Sequence, residues 1–146
     1  MDPILVQAVE GGDVATVARL LDAGASPDTV NRDEEGDGES VLSIAAGDGN
    51  LPLVQLLLGR GADINADDFW GGNAVTSAAA GGYCDVVQYL VDRGADVNAD
   101  DDGATALGYA EHELAETKTD RDRERFRKTV EILKAARAKD NPFALW

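Results

Sequence analysis

GADINA at residues 61–66 and GADVNA at residues 94–99 are one phrase written twice, 33 residues apart. Gly24-Ala25-Ser26-Pro27-Asp28 is a weaker copy upstream. Ahead of each copy stands the same apolar pattern: Val17, Leu20 and Leu21, then Val54, Leu57 and Leu58, then Val87, Leu90 and Val91. Steps of three and four put each set on one face of a helix. Before these come shorter segments with Leu5 and Ala8, Leu42 and Ala45-Ala46, or Val75 and Ala78-Ala79. A glycine step (Gly12-Asp13, Gly49-Asn50, Gly82-Tyr83) separates the two segments, as the end of a helix requires. Each unit therefore reads helix, tight turn, helix, Gly-rich return. Neither helix can bury its stripe alone, so the units must stack into an all-α solenoid.

This pattern resembles the ankyrin repeat in its period, its G-A-D-[IV]-N-A return and its paired helices. The family's T-P-L-H-x-A segment survives only in part, as Ser40-Val41-Leu42-Ser43, Asn73-Ala74-Val75-Thr76 and Thr105-Ala106-Leu107-Gly108. The apolar third position is kept and the histidine is lost. Ser43 and Thr76 are candidates to replace part of its bonding between repeats. Four units are expected in one domain, at about 2–30, 40–66, 73–99 and 105–138, with a tail at 139–146 as cap. The fourth lacks the short inter-helix turn and runs about eleven residues longer, with Arg137 where a glycine would close it. An elongated, charged helix pair that caps the stack is expected there. The interleaved Asp120, Asp122 and Glu124 favour a solvated face over a nucleic-acid patch. Asn141-Pro142 stops the last helix, and Phe143, Leu145 and Trp146 suit a plug folded back over it, or a partner-binding tail.

The net charge of −15 is unevenly spread. Residues 1–117 hold four basic residues against 23 acidic ones, and residues 118–146 hold nine against five. Such a body repels nucleic acid and anionic membrane and attracts basic partners, although acidity also serves solubility. No apolar run approaches the length of a membrane span, no signal-peptide pattern opens the chain, and the lone Cys84 allows no internal disulfide; a cytoplasmic protein is expected.

Chemistry is hard to find. One histidine and one cysteine cannot make a Cys/His metal site. Asp33, Glu35, Asp37 and Gly38 imitate the opening of a calcium loop, but Ile44 stands where its closing glutamate belongs. No phosphate cradle, nucleophile elbow or zinc motif occurs. No enzyme and no cofactor are expected.

The resemblance implies that the returns project as β-hairpin fingers, which with the first helices form a concave, protein-binding surface. The first finger carries Glu34, Glu35, Asp37 and Glu39, the second Asp67, Asp68, Phe69 and Trp70, and the third Asp100, Asp101 and Asp102. Asp48, Tyr83, Tyr109 and His112 would join them from the helices. Acid gathered at finger tips costs folding energy that a basic partner relieves. Phe69 and Trp70 suit an aromatic anchor ringed by charge, or one of them folds inward over its own unit. Small acidic ankyrin-like proteins resemble the immunity proteins that occlude bacterial toxins, so an inhibitor of a basic enzyme such as a nuclease is one expectation. A scaffold that joins proteins without inhibition is the other.

Overall fold

The computed structural model describes residues 2–32, 38–68, 71–100 and 103–140, with side chains through Arg137. Among the described residues the chain forms four helix pairs. They are α1 (Pro3–Glu10) with α2 (Val14–Asp22), α3 (Val41–Gly47) with α4 (Leu51–Gly59), α5 (Ala74–Ala80) with α6 (Cys84–Asp92), and α7 (Ala106–Glu116) with α8 (Asp120–Asp140). The first helices pack in the row α1–α3–α5–α7, and the second helices in the row α2–α4–α6–α8. Between the rows, Leu5, Leu53, Leu57, Leu90 and Leu133 lose all solvent contact. Each such side chain contributes about 1.5–3 kcal/mol of apolar burial.

Short helices of seven to nine residues are marginal alone, so their ends are fastened. The Asp2 carboxylate accepts from the backbone N–H of Ile4 and Leu5, both at 3.1 Å, with Pro3 preset in the first turn. Asp13 caps α2 and Asn50 caps α4 in the same way. The Thr16 hydroxyl and backbone hold the Asp13 carboxyl below its ordinary range. Gly12, Gly49 and Gly82 take positive φ in the turn inside each of the first three pairs. In the fourth pair Thr117, Lys118 and Thr119 make the break instead, and the Asp122 N–H donates to Thr119 Oγ1 at 3.2 Å to start α8. The fourth unit is thus a longer pair, and a polar turn separates its helices.

Ser43 and Thr76 do not replace the family histidine. Each serves the cap of its own helix: Ser43 N–H donates to Ser40 Oγ at 3.1 Å, and Thr76 N–H to Asn73 Oδ1 at 3.2 Å. Their hydroxyls stay in the same caps: Ser43 Oγ accepts from the Ser40 hydroxyl and Thr76 Oγ1 donates to Asn73 Oδ1, each at 3.2 Å. The links between units come from the returns. Asp28 Oδ1 accepts from the Asp63 N–H at 2.7 Å, and one unit later Asn65 Oδ1 accepts from the Asp96 N–H at 2.8 Å. Asp63 and Asp96 in turn accept from the N–H two residues on, each at 2.9 Å. The G-A-D-[IV]-N phrase is therefore a ladder rung as well as a turn.

Asn73 joins this ladder to a helix start. Its side chain, 2% exposed, caps α5 in a reciprocal box with Thr76 and donates through Nδ2 to the Asp96 carbonyl at 2.9 Å. Asn73→Ala removes the cap and leaves that carbonyl without its donor. It is expected to cost about 2–3 kcal/mol in urea unfolding. A loss under about 0.5 kcal/mol would mean that water takes over both roles.

Candidate functional site

Of the residues expected at the binding surface, Glu34, Glu35, Asp37, Phe69, Trp70, Asp101 and Asp102 lie outside the described residues. Glu39, Asp48, Asp67, Asp68, Tyr83, Asp100, Tyr109 and His112 lie within them. Among the described residues only the first finger pairs as strands, β1 (Val30–Arg32) with β2 (Gly38–Ser40). They are antiparallel with Asn31 opposite Glu39. Asn31 also reaches Glu10 of the first unit at 3.3 Å.

The second finger closes on itself. Asp68 N–H donates to the Gly72 carbonyl at 2.8 Å, and Gly72 N–H donates to Asp68 Oδ1 at 3.0 Å. Gly71 sits at φ +92, and a Cβ there would fall 2.5 Å from the Asp100 carbonyl oxygen. Only glycine lets the second finger lie this close to the base of the third. Asp67 and Asp100 are exposed, whereas Asp68 is half-buried. The Asp100 carboxylate takes the Gly103 N–H and so fixes the third turn.

Where the first finger meets the first helices, Glu39 feels the charges of two other carboxylates. Glu39, at the foot of the first finger, receives the Ser77 hydroxyl from the neighbouring α5. Its carboxyl is held above the ordinary range, first by burial and then by the charges of Asp68 and Asp48, while Ser77 opposes the shift. Asp48 is the C-cap of α3, where the negative end of a helix disfavours a carboxylate. Beside them the first helices present small residues: Ser77 Cβ lies 3.5 Å from where a Cβ on Gly47 would be. Counting from the caps Asn73 and Thr105, Tyr109 and His112 of α7 take the positions of Ser77 and Ala80. Tyr109 is half-buried and His112 exposed.

Tyr83 belongs to a different place. A Cβ on Gly49 would stand 2.4 Å from its ring, and one on Gly81 would stand 2.3 Å from it. The Arg125 guanidinium lies 5.9 Å from the ring centre. Tyr83 thus fills the space between turns of successive units, with its ring half-buried. Ser77 joins this region only through the stacking of units. Its signal was a hydroxyl at the helical position where the preceding unit has Ile44.

Among the described residues no group of three or more His, Cys, Asp or Glu side chains could hold a metal ion. Among them, too, no helix is long and apolar enough to cross a membrane.

Stacked helix pairs, a ladder of return loops and a finger row define a helical repeat solenoid of the protein-binding kind. The chain belongs to the ankyrin-repeat family: the family pattern described as ankyrin repeats (3 copies) matches residues 5–101 and 42–117. Over 91 residues it is 37% identical to the Ankyrin repeat and SAM domain-containing protein 6 of Mus musculus, which covers 47% of this chain and 10% of that protein. The counterpart from Rattus norvegicus is 36% identical over 91 residues, with the same coverage. The chain spans about a tenth of the length of these relatives.

Proposed function

We propose that this protein-binding module acts without catalysis as an inhibitor, of the immunity type, and occludes a partner enzyme with a basic surface. The observation that supports this is Glu39 at the foot of the first finger, whose carboxyl is raised first by burial and then by repulsion from the charges of Asp68 and Asp48. A lysine or arginine from a partner entering there would relieve that repulsion and add charge-assisted hydrogen bonds. The acidic tips extend the same field: Glu34, Glu35 and Asp37 on the first finger, Asp67 on the second, and Asp100, Asp101 and Asp102 on the third. Phe69 and Trp70 supply the apolar anchor that charge alone lacks. Tyr109 and His112 continue the face along α7.

The test is capture from native cells at low salt, followed by assay of what is captured. The proposal expects a basic enzyme whose activity falls to background at one equivalent of this chain. Trp70→Ala should weaken that capture several-fold and leave the melting temperature in place. A captured protein that keeps full activity would favour the second reading, a scaffold that tethers without inhibiting. Capture of acidic or neutral proteins alone would remove the charge argument.

A further inference from the structure

The charge of the chain reverses in one segment. Residues 118–128 hold six basic residues and three acidic ones, in a chain where acid outnumbers base 28 to 13. They make the turn between α7 and α8 and the first turns of α8. This is the end of the fourth unit away from the fingers. Thr105, just after the third finger, caps the start of α7, and the helix then runs eleven residues, about 16 Å. A cleft of about 430 Å³ opens at its far end, lined by Thr119, Arg121, Asp122 and Arg125. The acid in this cleft is already taken. The Asp122 carboxylate receives the Thr119 hydroxyl at 2.8 Å and Arg125 Nη2 at 2.9 Å, and both bonds hold its carboxyl below the ordinary range. Glu124 is taken as well, paired with Arg127. Arg121 differs: it is exposed, and its guanidinium makes no hydrogen bond or salt bridge with another described residue. Arg125 is fixed from behind. Its Nη1 donates to the Gly81 carbonyl at 3.3 Å, and its guanidinium stands 5.9 Å from the Tyr83 ring centre and 5.6 Å from that of Phe126. Its Nε is buried without an acceptor. Lys118, Arg121, Arg125 and Lys128 follow one another at steps of three, four and three, which puts them along one side of the helix. Like charges so spaced repel one another, and of the segment's three acids only Asp120 is left to offset them.

We propose that this cleft and its stripe form a second docking surface, which takes an extended acidic segment of a protein partner. The Arg121 guanidinium is a fork that can hold a carboxylate through two parallel N–H bonds. Arg125, held by Gly81, Tyr83 and Phe126, offers its charge at a fixed place, so little order has to be imposed on binding. The spacing suits a peptide. Arg121 and Arg125 are one helical step of about 6 Å apart, and an extended chain repeats side chains on one side every 7 Å or so, about the same distance. Carboxylates two residues apart therefore meet successive cations of the stripe. An unbroken run of phosphates would meet Asp120, Asp122 and Glu124 as well, which favours the peptide over a nucleic acid. The surface does not depend on the finger reading, because it lies at the other end of α7 and carries the opposite charge.

The experiment titrates the full chain into a fluorescein-labelled peptide of alternating glutamate and alanine at low salt and follows fluorescence anisotropy. Saturable binding is expected, and Arg121→Gln should weaken it by about tenfold. Arg137→Gln makes the same change in net charge farther along α8 and should leave the affinity within about twofold. Both side chains are exposed, so both variants should keep the circular dichroism of the parent. Absence of saturable binding by the folded parent would overturn the proposal. Equal losses in the two variants would do so too, since they would reduce the effect to net charge. A single-stranded oligonucleotide that binds more tightly than the peptide would give the stripe to nucleic acid and overturn it as well.

Discussion

Replacing Glu39, Asp48 and Asp68 together by their amides is expected to slow association with the captured partner by about tenfold or more at low ionic strength. Glu39→Gln alone should be more stable than the parent. Amides keep the geometry: the amide oxygen that replaces the Asp68 carboxylate can still accept the Gly72 N–H, and the one that replaces the Glu39 carboxylate can still accept the Ser77 hydroxyl. What is lost is charge. The parent's rate should fall steeply as salt rises, and the variant's rate should fall less, so the two curves converge near about 1 M salt, where the screening length is about 3 Å. The stability gain has its own pH signature. Burial, Asp68 and Asp48 raise the Glu39 pKa in the folded chain. Relative to the unfolded chain, Glu39 therefore favours folding while protonated, and that contribution is lost as pH rises through its raised pKa. Glu39→Gln should raise the melting temperature at about pH 7 and have little effect below about pH 4. Solvent screening at this half-exposed group keeps the gain modest. An unchanged association rate combined with higher stability would show that the cluster is strained without serving the partner. A fall in stability on Glu39→Gln would show that the Glu39 charge is not held at a cost.

The period of 33 residues and the three- and four-residue steps made the stack legible, because burial forces those spacings on any helix pair that must share a core. The acid on the fingers was legible too, since charge is read without geometry. The convergence of Glu39 with Asp48 and Asp68 was not. Glu39 and Asp68 stand 29 positions apart, and only the stacking distance between units brings their charges together. Ser77 was invisible for the same reason. Its hydroxyl matters through a carboxylate 38 residues earlier. Tyr83 went the other way. An aromatic beside a glycine turn reads as exposed, but the missing side chains of Gly49 and Gly81 are the space its ring fills. Asn73 looked like a weak copy of a threonine motif, yet it caps a helix and ties a return with one amide. In each case the residue type fixed what bonds were available, and the repeat geometry chose among them.

Gly82→Ala is expected to destabilise the chain by about 2–4 kcal/mol, with the last helix pair losing its fit to the stack. Two effects combine at this site. Gly82 holds φ +68, a left-handed conformation that costs an alanine about 1–2 kcal/mol. A Cβ there would also stand 2.8 Å from Phe126 Cε1 of α8, which is 6% exposed and has little room to retreat. Gly94→Ala separates the two effects. Gly94 holds φ +87, and no heavy atom lies within 4 Å of where its Cβ would be. It should show the backbone cost alone, so the difference between the two variants measures the Phe126 contact. Phe126→Leu shortens the clashing ring. In that background the added cost of Gly82→Ala should shrink toward the Gly94→Ala value, a coupling of about 1–2 kcal/mol. Because units in a stack can come apart separately, calorimetry should accompany denaturant unfolding. A broadened or split transition in Gly82→Ala would mean that α7 and α8 release before the rest. Equal costs at Gly82 and Gly94 would remove Phe126 from the account and leave only the turn.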